Sequence, residues 1–189
     1  AECGAMAYTG ALYGHPGRIV QGPSDADELA RSAEGLQHLA EHGGRRGVVL
    51  VLEPMSHFRT HMINTPRQAL DLLDLCDHDN LSILLDTYHL CTEITSYSDA
   101  IRRVADRLWG IHACENNRGC PGTGILPWRE ITDTLREVAW SGYIGFESYN
   151  SSCRAGQFAR SRGMFHDVCP DGDAFVTQAR QFLESRFKG

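Results

Sequence analysis

The chain has 189 residues, 42% of them hydrophobic, and a formal net charge of −6, enough for one domain with a real core. No run approaches the ~18 to 20 unbroken apolar residues of a membrane span, and without a basic excess or stripe the charge argues against nucleic acid as a partner. The opening AECGAMAYTG lacks the charged start and apolar run of a secretory signal. Seven cysteines without CxxC pairs make neither a disulfide framework nor a zinc ribbon, and read as buried or semi-buried side chains of a cytoplasmic protein.

A strand-like stretch stands first, around residues 5 to 8. Residues 25 to 42 place Leu29, Ala33, Leu36 and Ala40 on one helical face, and Gly43-Gly44 ends that pattern. GVVLVLE, residues 47 to 53, is a continuous apolar run rich in β-branched residues, as in a strand buried on both faces. Thr65-Pro66-Arg67-Gln68 then opens a helix, with Thr65 as cap, Pro66 at the first helical position and Gln68 completing a capping box. Its inward face is Ala69, Leu72, Leu73 and Cys76.

Residues 81 to 86 form the next short apolar run, followed by a helix over 98 to 107. There Arg102-Arg103 is balanced by Asp99 and Asp106, a solvated face. Residues 108 to 112 are strand-like, 128 to 139 helical through Ile131, Leu135, Val138 and Ala139, and 142 to 147 strand-like again. Phe175, Ala179, Phe182 and Leu183 mark a terminal helix. Repeated β-then-α elements imply one α/β domain over residues 1–189 with a parallel sheet, either open and doubly wound or closed into an eight-stranded barrel. Five strand-like segments fall short of the eight strands and about 250 residues of a complete barrel. The chain is therefore the C-terminal portion of a longer barrel or no barrel at all, and its abrupt start favours the first. An open sheet edge predicts association, as a homo-oligomer or beside a partner.

Four of the apolar runs end in a residue able to bind metal: Glu53, Asp86, His112 and Glu147, at intervals of 33, 26 and 35 residues. In a parallel barrel such side chains converge at the C-terminal ends of the strands, where these barrels place their active sites. Three carboxylates and one imidazole repel and resist desolvation unless a cation neutralises them. Oxygen-rich ligation with a single His suits Mn²⁺, Mg²⁺ or Co²⁺ better than a structural zinc. Taken alone, Asp86 before Thr-Tyr-His is also a turn or helix-cap pattern.

The segments LEPMSHFRTHMINT (52–65), LLDTYH (84–89), GIHACENNRGCPGTGILPW (110–128) and GFES (145–148) resemble the sugar isomerase/epimerase group with the xylose-isomerase-like barrel, especially ketose 3-epimerases of the D-tagatose and D-psicose types. The resemblance runs from about the fourth barrel strand to the terminus, and FHDVCPDGDAF (165–175) resembles the family's closing region. It implies a TIM (β/α)8-type barrel lacking its N-terminal strands, with the C-terminal five βα units present. It also implies one divalent ion, Mn²⁺ before Co²⁺ or Mg²⁺, on Glu53, Asp86, His112 and Glu147. Glu53 and Glu147 would double as the acid/base pair, with His89 and Arg118 on substrate oxygens and a small sugar or sugar-like molecule as substrate. The reaction so implied is epimerisation or isomerisation next to a carbonyl through an enediolate. A lyase on the same scaffold, of inosose or dehydroshikimate dehydratase type, and a non-catalytic barrel fragment are the alternatives.

One departure stands out: where the ketose epimerases usually carry a substrate-contacting Glu, this chain has Arg59. Either Arg59 meets an anionic group of the substrate or it pairs with a nearby acid on the rim. His57 and His61 read as positioning or solvent groups, Asn116 and Asn117 as loop-shaping residues, and Trp128 as packing. The PGTG stretch at 121–124 reads as a tight turn and not a phosphate cradle. Cys114 and Cys120 flank this loop without the signature of a thiol nucleophile.

Overall fold

The computed structural model describes residues 2–14, 22–150 and 156–188. Five strands form one sheet in chain order: β1 (Ala7–Gly10), β2 (Val49–Leu52), β3 (Leu81–Asp86), β4 (Leu108–His112) and β5 (Tyr143–Gly145). Every neighbouring pair is parallel. The order never reverses, whereas a doubly wound sheet must reverse at a switch point. The sheet curls into a half-barrel, and all its strands deliver their C-terminal ends to one rim.

Three long crossover helices connect it: α1 (Ala26–Gly44), α2 (Pro66–Cys76) and, after the single turn α3 (Thr87–Leu90), α4 (Tyr97–Val104). α5 (Trp128–Glu137) leads into β5, and α6 (Gln157–Ser161) and α7 (Gly172–Phe187) follow. Local chemistry sets the boundaries. Asp25 accepts from the Glu28 amide to start α1, and the full capping box of Thr65 and Gln68 starts α2. Gly43-Gly44 are the last residues of α1, one step inside the expected stop, with Arg45 as the cap.

Two expected elements are shorter than the sequence suggests. The helix read over 98–107 is α4 plus a 3-10 turn, Ala105–Arg107. β5 ends at Gly145, so Phe146 and Glu147 leave the ladder before the rim.

Leu50 and Leu52 of β2, Ile83 and Leu85 of β3 and Ile111 of β4 are buried together with Leu36, Leu72, Leu73, Ile101 and Ile131 from the surrounding helices. Each such side chain removed from water contributes about 1.5 to 3 kcal/mol. A smaller cluster of Cys120, Cys169, Phe175 and Ala179 seats α7. Met6 beside β1, Tyr8 on it and Tyr143 on β5 leave apolar surface exposed at the two outer strands. Among the described residues no helix is long and apolar enough to cross a membrane. Cys3, Cys76, Cys91, Cys114, Cys120 and Cys169 are free thiols, four of them buried, and Cys153 lies outside the described residues.

Candidate metal and catalytic site

The four strand-end residues meet. Glu53 follows β2 directly, Asp86 ends β3, His112 ends β4, and Glu147 stands two residues past β5. One ligand atom from each lies within 4.8 Å of all the others. The His112 Nδ1 is 3.4 Å from Glu53 Oε1, 3.7 Å from Asp86 Oδ2 and 3.2 Å from Glu147 Oε2.

Two backbone details put His112 there. A register shift between Ile83 and Leu84 brings Asp86 level with His112 across the β3–β4 pair. On the other side His112 pairs with Gly145, where an added Cβ would come within 3.0 Å of the imidazole Cδ2. A side chain at Gly145 would crowd the ring and force it to shift by a few tenths of an ångström.

The spacing matches donors around a shared cation better than donors bonded to each other. Ligands about 2.1 Å from one ion stand about 3 to 4 Å apart. Glu53 Oε1 and His112 Nδ1 are buried and have no hydrogen-bond partner. A native interior rarely leaves such atoms unpaired unless an ion or water takes them. The residues therefore fit a divalent ion with three oxygen donors and one nitrogen donor.

The electrostatics agree. Burial, with Asp86 and Glu147 close by, pushes the Glu53 carboxyl up to about 7 against the pull of His112. Burial would lower His112, but its carboxylate neighbours push the imidazole up to about 11. Burial would raise Asp86, yet Arg118 and His112 hold its carboxyl well below the usual range. Protons and Arg118 are here compensating charge that a cation would compensate more directly.

Asp86 satisfies both readings of its sequence, one with each oxygen. Oδ1 caps α3 by accepting from the Tyr88 and His89 amides, while Oδ2 faces His112 and Arg118. His89 is buried, and Arg118 NH2 lies 3.1 Å from its Nε2. A guanidinium only donates, so Nε2 accepts, while Nδ1 faces both the Ser56 hydroxyl (2.9 Å) and the Ser56 amide (3.3 Å). Burial holds His89 down to about 4, in the neutral form this bonding needs.

Arg118 has no exposed surface; its NH1 is 2.5 Å from Asp86 Oδ2 and 3.4 Å from Glu147 Oε2. Its guanidinium carbon lies 4.2 Å from the ring centre of Tyr88 and 5.6 Å from that of Tyr149. Arg118 adopts a left-handed backbone, φ 67°. Ser148 Oγ fixes it by donating to the Arg118 carbonyl (2.6 Å), and the Arg118 amide donates to the Glu115 carbonyl (2.9 Å).

Glu115 is the residue that strand-end reasoning misses. It is fully buried, and all its bonds hold the loop that carries Arg118. Oε1 accepts from the Gly122 amide (2.7 Å) and the Trp128 indole (2.5 Å), and Oε2 accepts from the Leu126 amide (3.2 Å). A Cβ on Gly124 would stand 2.5 Å from Oε2, which is why the PGTG stretch is a tight turn around a carboxylate. Trp128 therefore anchors as well as packs. Asn117 shapes the loop by accepting from Gly119, and Asn116 does so from Ile125. The available signal was an acid three residues after a ligand, in a loop too polar to bury unaided.

The other expectations resolve simply. His57 Nδ1 pairs with Glu93 (2.7 Å) and His61 Nε2 with Glu28 (2.9 Å), so neither enters the cluster. Burial pushes the Cys114 thiol far above its ordinary range, which suits no nucleophile.

Comparison with known proteins gives a consistent picture. The xylose isomerase-like TIM barrel family matches residues 1–170. A ketose 3-epimerase of Arthrobacter globiformis is 30% identical over 186 residues, 98% of this chain and 64% of the relative. A D-psicose 3-epimerase of Enterocloster bolteae is 33% identical over 144 residues, 76% of this chain and 47% of the relative. The crystal structure of a D-allulose 3-epimerase from Methylomonas sp. in complex with D-allulose superposes with a TM-score of 0.88 at 27% identity, covering 95% of this chain and 62% of that one. The chain thus spans less than two thirds of the length of these relatives.

Proposed function

The chain belongs to the xylose isomerase-like TIM barrel family, and from that premise we propose that the protein epimerises or isomerises a small keto sugar with one divalent ion, Mn²⁺ in the first place. The observation that carries this reading is the convergence of Glu53, Asp86, His112 and Glu147 on one point, with two of their buried atoms unpaired. Those four residues would hold the ion. When bound, it supplies Lewis-acid stabilisation of the negative charge that develops on the sugar oxygens.

The chain's own groups do the rest. One of Glu53 and Glu147 takes the proton from the carbon beside the carbonyl, and the C–H electron pair moves into the enediolate. The other Glu returns a proton to the opposite face, so the product keeps the formula of the substrate and differs at one centre. Roles exchange for the reverse direction. Glu53 and Glu147 lie on either side of His112, each within 3.4 Å of its Nδ1, so both carboxylates border the same point. Arg118 and the neutral His89 hold the inner wall beside Asp86 and keep water out of it. Aldose–ketose isomerisation uses the same groups.

The same reading puts the protein in the cytoplasm, on its free thiols, as a homo-oligomer, and away from nucleic acid, on its net charge of −6. The test is to incubate the metal-loaded, full-length protein with ketoses, ketose phosphates and ketose acids in deuterated water. Deuterium incorporation beside the carbonyl is expected for at least one of them. Absence of exchange at C1 and C3 in every case would overturn the proposal, and loss of water from the product would select a lyase.

A further inference from the structure

Among the described residues Arg59 has no opposite charge within ion-pair distance. It lies in the segment after β2, its amide bonded to the Ser56 carbonyl (2.8 Å), in the same turn whose Ser56 hydroxyl meets His89. Its side chain is half-buried, and no carboxylate of the described residues lies within ion-pair distance of it. Glu93, the acid that pairs with His57 in the same segment, is occupied by the His57 ring and amide and by Thr92. Among the described residues the rim-acid reading of Arg59 finds no acid within ion-pair distance.

What Arg59 does touch is the active site's own wall. Its NH2 lies 3.4 Å from the Tyr149 hydroxyl, a long contact that leaves the other guanidinium donors open. Tyr149 is the ring next to Arg118, and the Arg59 charge is also felt at Tyr88 and His89. Arg118 thus stands inside, Tyr149 between, and Arg59 outside.

The charge balance gives this position a meaning. Glu53, Asp86 and Glu147 carry three negative charges; Arg118 and a divalent ion offset all three. A neutral keto sugar would then leave the half-buried Arg59 compensated by water alone. A substrate carrying one or two negative charges at its far end would compensate it, in the forked geometry that guanidinium offers to carboxylate or phosphate.

We propose that Arg59 selects an anionic keto sugar, a ketose bearing a terminal carboxylate or phosphate, by pairing with that group at the mouth of the site. This rests on the sugar epimerase reading above. The full-length, metal-loaded protein should give a kcat/KM for deuterium exchange at least about tenfold higher on a ketose acid or ketose phosphate than on the matching neutral ketose. Which of the two anions gains decides between carboxylate and phosphate. Arg59→Gln should lower the anionic-to-neutral ratio about tenfold through KM, and Arg59→Lys should restore part of it. An unchanged ratio in Arg59→Gln, or a wild-type preference for the neutral ketose, overturns the proposal while leaving the epimerase reading intact.

Binding separates the two ideas if no sugar exchanges. By calorimetry, D-gluconate and sorbitol phosphate should each be compared with sorbitol, on wild type and on Arg59→Gln. An anion preference lost in the variant supports Arg59 as the selector even where the reaction is different. Equal binding of all three overturns it.

Discussion

Two buried carboxylates, Glu53 and Glu115, sit at the same rim and have opposite fates. Glu115 has no exposed surface and both its oxygens accept from neutral donors: two amides and an indole near Oε1 and Oε2. Glu53 is almost as deeply buried, but its Oε1 has no hydrogen-bond partner and faces His112 amid two further carboxylates. A carboxylate whose lone pairs are all used by fixed N–H groups is a strut. One left facing like charges is poised for a cation and for proton transfer. The difference lies in the neighbours and not in depth.

The sharpest break between the two is chemical. Glu53→Gln and Glu147→Gln should each lower deuterium exchange by about 100- to 10,000-fold. Circular dichroism and elemental analysis alongside would show whether the fold and the ion survive; retained exchange in either variant would remove it from the acid/base pair.

Glu115→Ala should instead act on stability. It strands the Trp128 indole and the amides of Gly122 and Leu126, a loss of about 3 kcal/mol in urea unfolding. A variant as stable as the parent would mean that the loop finds other partners.

The third effect is slightly smaller. Adding Mn²⁺ at about 100 times its Kd to chelator-treated protein should raise stability by about 2.7 kcal/mol. Asp86→Asn should lose most of that gain. Unfolding curves that do not move with Mn²⁺ would count against the cluster as a metal site.

A fourth test concerns His89. Its pKa is about 4 in the folded chain and near 6.5 when unfolded, so its contribution is present above about pH 6.5 and is lost as pH falls towards 4. Glu53, raised to about 7, works in the opposite sense over much of that range. The measurement is therefore the difference between parent and His89→Gln in metal-free protein, which should shrink by roughly 2 kcal/mol between about pH 6.5 and pH 4.5. A pH-independent difference would mean that His89 is not buried neutral. The smallest effect, about 1 kcal/mol, is expected for Thr65→Ala, which removes half of the α2 capping box and touches neither carboxylate.

Much of the fold was legible because its signals are local. β3 and β4 occupy the predicted residues, and the Thr65 cap, Pro66 and Gln68 box start α2 where expected. Boundaries slipped where a tertiary contact decided. β5 stops at Gly145 because Glu147 must leave the ladder to face His112, and Gly43-Gly44 continue α1 although glycine favours an end.

Within the site, the four residues that converge could be read from residue type and strand-end spacing, since parallel strands deliver their ends to one rim. Glu115 could not be separated from a solvated loop acid, because its role depends on amides and an indole 7 to 13 residues away. Arg59 stands open between two readings in the sequence, because its contact with Tyr149 spans 90 residues. By itself, then, the sequence determined the βα repeat, the helix caps and which side chains reach the rim, all set by neighbours a few residues off. Only the tertiary structure decided which buried carboxylate is satisfied, which is not, and where Arg59 points its charge, because burial and pairing are properties of distant segments brought together.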